Sequence, residues 1–187
     1  MKLTICATVV SIGAFTVLGA GTALSADKEG SGQTAEVLSK LHHSNQMEVA
    51  AGKLAQEKGQ SKDVKAFGKT LVTDHSAADK KVMALAKDEK IDLPADAPMP
   101  ADMDKMKSAS GAEFDKMFAS HMLEDHKKDV ADAKAARDTT ADPKLKTLLT
   151  ATIPVLEKHQ NTAQKLVEKL GASASADGAK VAPTAAK

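Results

Sequence analysis

Cysteine and aromatic residues are nearly missing from this 187-residue chain, which has one Cys, no Trp, no Tyr and only four Phe. Without rings to stack on, it has no platform for bases or sugars. With 26 Lys and Arg against 25 Asp and Glu it also lacks the basic excess that tracks phosphates. No nucleic-acid partner is expected. The chain carries no Gly-rich phosphate loop, no nucleophile elbow and no Cys–His pair, which argues against a hydrolase. Proline is sparse, and three of the six cluster at Pro94, Pro98 and Pro100.

What is present begins with an address. Residues 1–26 read as a secretory signal peptide: Lys2, an apolar run from Leu3 to Leu24, and small residues up to Ala26. Cleavage is expected after Ala26, where charge begins with Asp27 and Lys28, or alternatively after Ala23. Removal takes the single Cys6 with it, so the exported domain has no disulfide and rests on packing alone. It also leaves no transmembrane segment. The expected location is the periplasm, with outer-membrane association or secretion as variants.

The remainder shows helical periodicity in four long stretches and no sustained two-residue alternation. The first helix is expected from about Gln33 to Lys58, stopped by Gly59. The second, capped by Ser61, carries the stripe Val64, Phe67, Leu71, Ala78, Val82 and Leu85. Residues 91–110 break the pattern as a linker. A capping box, Ser110-Gly111-Ala112-Glu113, opens the third helix, which runs to about Thr139. Asp142-Pro143 opens the fourth, which Gly171 is expected to stop. The domain is therefore residues 27–171, an all-α four-helix bundle with a long linker between helices two and three, followed by a disordered Ala-, Ser- and Gly-rich tail, residues 172–187. The linker is long enough to run the whole bundle or to fold back on one end.

Each apolar stripe is interrupted by ionisable residues: Glu48 on helix one, Asp74 and His75 on helix two, His126 with Asp125 beside it on helix three, and His159 on helix four. At about 1.5 Å per residue these fall in one layer, roughly 18–24 Å above the Gly59 turn. An unpaired buried charge is costly, so the layer must be hydrogen-bonded, hydrated or metal-bound. The simpler reading is a structural network that fixes helix register. The alternative is a metal site with Glu48, Asp74, His75, His126 and His159 as candidate ligands. Because the Glu-x-x-His repeat of di-iron bundles is absent, it would suit one transition-metal ion: Zn, Fe or Cu.

Three further features have plain readings. Pro154 should curve helix four. Met99, Met103 and Met106 recur at helical spacing and suit gap-filling where the linker caps the bundle, or a thioether site for Cu(I). His42 and His43 are adjacent and are expected at the surface.

The segments EVAAGKLAQEKG (48–59), VKAFGKTLVTDHSAADKKVMALA (64–86), SGAEFDKMFASHMLEDH (110–126) and DPKLKTLLTATIPVLEKH (142–159) resemble an exported bacterial family, domain of unknown function 4142, often labelled an outer-membrane or secreted protein. The resemblance spans about residues 33–170. It implies a ferritin-like four-helix bundle, with Asp74, His75, His126 and His159 at the motif positions and Glu48 as the helix-one glutamate. The family has no settled activity. The chain departs from relatives that carry Tyr near Phe118, which removes a tyrosine redox role. The resulting expectation is an exported, non-catalytic binding or structural protein of the envelope, linked to stress and with an envelope protein as partner. A metal-binding, redox-active bundle is the alternative.

Overall fold

Gly59 to Ser61 are all that separate the first two long helices, α1 (Ala23–Lys58) and α2 (Lys62–Asp88), so the two lie antiparallel. The computed structural model describes residues 23–95 and 101–178, with side chains for 31–95 and 103–171. The signal segment up to residue 22, Pro98, Met99 and Pro100, and residues 179–187 lie outside the described residues. After the linker come a short α3 (Ala101–Ser108), then α4 (Gly111–Thr139) and α5 (Pro143–Gly178). The described residues form four long helices and one short one, with no strand.

Local chemistry accounts for most helix ends. The Ser61 side chain accepts from the Asp63 amide at 3.2 Å, and Asp142 Oδ1 accepts from Lys144 N and Leu145 N at 2.8 and 3.2 Å. At the end of α2 the Lys90 and Ile91 amides bond back to the Lys87 and Ala86 carbonyls. This is a Schellman closure with Lys90 in the left-handed position, φ 56°. Ile91 then packs on the core.

Four boundary expectations need correction. α1 begins near Ala23 rather than Gln33, because residues 23–29 are mostly good helix formers. α5 continues through Gly171 to Gly178, since a glycine at an exposed helix position costs only about 1 kcal/mol and alanines follow it. Thus residues 172–178, assigned to a disordered tail, are helical. The linker is not free of helix: α3 forms because Met103 and Met106 face inward together and bury completely. Finally, Ser110 makes no side-chain cap bond, because Gly111 enters the helix at φ 62° and turns the chain away from the capping geometry.

The linker question is settled by contacts at both ends. Gly59 bridges Gly111, so α4 starts beside the α1–α2 turn. There Asp115 of α4, itself buried, accepts from the Gln60 and Ser61 amides at 2.9 and 2.7 Å and locks the turn. At the far end Lys144 pairs with Glu89 at 2.9 Å. Glu89 therefore lies at one end of the bundle and Ser110 at the other, and every neighbouring pair of long helices is antiparallel.

α1 and α2 approach most closely where two glycines face each other. A Cβ on Gly52 would lie 2.6 Å from the Gly68 carbonyl, and one on Gly68 would lie 2.7 Å from the Gly52 carbonyl. α1 is thus drawn onto α2, and its other flank, toward α4, is left more open.

Candidate metal centre

The apolar core is divided in two. The lower cluster holds Ala51, Phe67, Leu71, Phe118, Met122 and Ala163 among others, and the upper one Leu38, Val82, Val130, Ile153 and Leu156. On each long helix one buried ionisable residue sits between the members of the two clusters: Glu48 on α1, His75 on α2, His126 on α4 and His159 on α5. All four are no more than 2% exposed.

The three imidazoles meet. Their ring centroids are 5.1–5.6 Å apart, and one nitrogen from each lies within 4.8 Å of the others. Phe67 lies against two of them, its ring 6.0 Å from His159 and 6.4 Å from His126.

Hydrogen bonds set which nitrogens are free. His126 Nδ1 is 2.8 Å from the Met122 carbonyl, which can only accept, so Nδ1 donates and Nε2 keeps its lone pair. His159 Nε2 donates to Asp74 Oδ2 at 2.9 Å, leaving Nδ1. His75 Nδ1 donates to Asn45 Oδ1 at 2.9 Å, leaving Nε2. The freed His75 Nε2 and His159 Nδ1 face each other at 3.2 Å. Buried His126 Nε2 has no hydrogen-bond partner at all. Outward acceptors that fix the tautomer of inward-facing rings are how metal-binding imidazoles are held.

Glu48 sits beside this group. Its Oε2 is 2.7 Å from His75 Nδ1 and its Oε1 is 3.1 Å from His126 Nε2. Neither contact has hydrogen-bond geometry, so both oxygens are buried and unpartnered. Burial pushes the Glu48 carboxyl up to about 8, against the pull of His126. Burial likewise pushes His75 down to about 4 and lowers His126 and His159, more than the neighbouring carboxylates restore. These close contacts are therefore not ion pairs near neutral pH: the imidazoles are neutral, the state in which they offer lone pairs to a metal.

The residues fit a metal ion. Nitrogens about 2.0–2.1 Å from a tetrahedral ion lie roughly 3.4 Å apart. The His75–His159 separation of 3.2 Å is already close to this, and no separation exceeds 4.8 Å, so closing on an ion needs rearrangement of at most about 1.4 Å. An all-imidazole set suits Zn, Cu, Ni or Fe, and not Ca or Mg.

Of the five candidate residues, the structure brings His75, His126 and His159 together with Glu48 alongside. Asp74, its side chain one-third exposed, stands outside as the acceptor for His159. Asp125 does not join them: it pairs with His121 at 3.1 Å. His42 corrects the expectation that both adjacent histidines lie at the surface. It is buried against α2, with Nδ1 2.7 Å from Asp79 Oδ1. Successive helical residues point about 100° apart, so His43 turns away from α2 toward the gap between α1 and α4, where it is half-buried. Asn45 is the site residue that sequence reasoning missed. Its signal was a polar residue one helical turn before Glu48. Met103, Met106 and Met122 fill the lower core.

Among the described residues no helix is long and apolar enough to cross a membrane. A search of curated proteins found no match. A solved structure, CopM in the Cu(II)-bound form, is similar with a TM-score of 0.65 and 17% identity, over 73% of this chain and 96% of that one. At that identity the likeness concerns the helical fold. The family described as Domain of unknown function (DUF4142) matches residues 19–166, which includes the imidazole triad and Glu48, and the chain belongs to this family.

Proposed function

We propose that this protein is an exported helical bundle that binds one transition-metal ion through His75, His126 and His159, with Glu48 beside the ion. Asp74, Asn45 and the Met122 carbonyl orient the three rings. The observation that carries the reading is the outward hydrogen bonding of all three imidazoles, which leaves three lone pairs converging in the buried middle of the bundle, one of them without any partner. The Cu(II) in the similarly folded CopM makes Cu²⁺ the first ion to test, with Zn²⁺ beside it. Bound there, the ion would tie α2, α4 and α5 at mid-height and stabilise the fold by mass action. Its place of action is the cell envelope, on the strength of the signal-like first 26 residues.

Equilibrium dialysis of the tag-free protein against Cu²⁺ and Zn²⁺ tests this. One ion per chain, lost in His75→Ala and in His126→Ala while the helical circular dichroism persists, is the expected result. A second reading keeps the layer as a structural network, favoured by the His75–Asn45 and His159–Asp74 bonds, which need no ion. Under it no ion is retained, and the substitutions alter stability alone.

A further inference from the structure

The open flank of α1 leads to the metal centre. Between α1 and α4 lies a cleft of about 550 Å³ that reaches from the surface to Glu48. Its wall on α4 carries Asp125, Asp129 and Asp132, one helical turn or so apart; Lys40 and Lys128 are the lysines among its lining residues, and His121 pairs with Asp125 at 3.1 Å. Lys40 is engaged by Glu36 outside the cleft, whereas Lys128 pairs with Asp132 of the wall itself, each at 2.6 Å, so Asp125 and Asp129 carry most of the attraction. At the inner end sits Glu48, 2% exposed, with both oxygens unpartnered. The opposite flank has the reverse character. The smaller groove between α2 and α5 that reaches His159 is lined by Lys158, Lys165 and Lys169 against a single Asp63.

Resting on the metal-site reading above, we propose that the α1–α4 cleft is the entry route for the divalent cation: its aspartates draw the ion in, and Glu48 takes it before the imidazoles do. A hydrated cation gains electrostatically on the acidic flank and is repelled on the lysine-rich one, and a cleft lined by one sign of charge raises the association rate. The buried Glu48 carboxyl has no hydrogen-bond partner, and an incoming cation takes the place of its proton, which leaves through the cleft to solvent. Glu48 Oε1 lies 3.1 Å from His126 Nε2, so transfer to the triad begins with exchange of an oxygen for that nitrogen over a contact distance. Met47, next to Glu48 in sequence, lines the same cleft.

The test is the rate of Co²⁺ uptake by metal-free protein, followed by visible absorbance in stopped flow at several salt concentrations. The triple variant Asp125→Asn/Asp129→Asn/Asp132→Asn should take up Co²⁺ at least about tenfold more slowly, with a weaker salt dependence and an unchanged final stoichiometry. Met47→Trp, which obstructs the passage without altering charge, should also slow uptake and leave the stoichiometry intact. Lys158→Gln/Lys165→Gln/Lys169→Gln should leave the rate as it is. An unchanged rate in both cleft variants, or a faster rate in the lysine variant, would overturn the route while leaving the site in place. Failure of the wild type to take up Co²⁺, Cu²⁺ or Zn²⁺ in stoichiometric amount would instead remove the site and the route together.

Discussion

Asp74 Oδ2 lies 2.9 Å from His159 Nε2 and claims the proton there, so that His159 presents Nδ1 to the centre of the bundle. Asp74 is therefore a positioning residue. Asp74→Ala should keep the metal stoichiometry and weaken affinity by about 10–100-fold, the usual cost of losing such a partner. A competition titration with a chelator of known affinity measures this. Complete loss of binding would make Asp74 a ligand, and an unchanged affinity would remove its orienting role.

His126 Nε2 is a buried atom without a hydrogen-bond partner. In the metal-free protein, replacing the ring by an apolar one removes that liability while the packing beside Phe67 is largely kept. His126→Leu should thus be within about 1 kcal/mol of the wild type without metal. With metal at about 100 times its dissociation constant, the wild type alone should gain roughly 2.7 kcal/mol. Urea unfolding with and without Zn²⁺ checks both halves. A metal-dependent gain in the variant would contradict the assignment.

Burial raises Glu48 from its ordinary 4.5 to about 8, so between these values the folded metal-free protein holds a proton that the unfolded chain has released. The Glu48 contribution to stability is then fully present below about pH 4.5 and declines as pH rises toward about 8. The imidazoles work in the other direction. Their lowered values favour the folded state above the ordinary histidine value of 6.5, and that gain is lost as pH falls, for His75 through about 4. Glu48→Gln should remove only the first slope, so the variant gains on the wild type as pH rises, by up to a few kcal/mol at pH 8. Denaturation of both metal-free proteins at pH 5 and pH 8 gives the comparison. A difference that shrinks with rising pH would show that Glu48 is charged and paired.

Lys90 occupies the left-handed position of the α2 closure at φ 56°, where a side chain is strained and glycine is not. Lys90→Gly should stabilise the protein by about 1 kcal/mol with no effect on metal binding. Thermal unfolding reads it directly, and a loss of stability would show that the closure does not form as described.

The legible parts of the fold and site share a physical cause. Ser61 and Asp142 announced their helices because a capping side chain needs only its own local backbone. The layer was legible because Glu48, His75, His126 and His159 interrupt stripes that are otherwise apolar, and a 1.5 Å rise places them at one height. What stayed hidden depends on distant contacts. The helical spacing of Met103 and Met106 was a hint of α3 and no more, since so short a segment in a proline-rich linker becomes helix only when the lower core holds those two side chains. His42 gave no sign of its burial, because its partner Asp79 is on another helix. The Ser110 pattern was misleading because the φ of Gly111 cannot be read from neighbouring residue types. Nor could spacing separate ligand from orienting residue: Asp74 and His75 are adjacent, and only the burial of His75 beside a one-third-exposed Asp74 shows which one turns inward.

X-ray absorption at the metal edge of the Cu²⁺- or Zn²⁺-loaded, tag-free protein tests the central claim most directly, because imidazole rings have their own multiple-scattering signature. The account predicts a light-atom shell at about 2.0 Å with scattering from the three rings His75, His126 and His159. A shell of oxygen ligands without imidazole scattering, or a spectrum unchanged in His126→Ala, would contradict it.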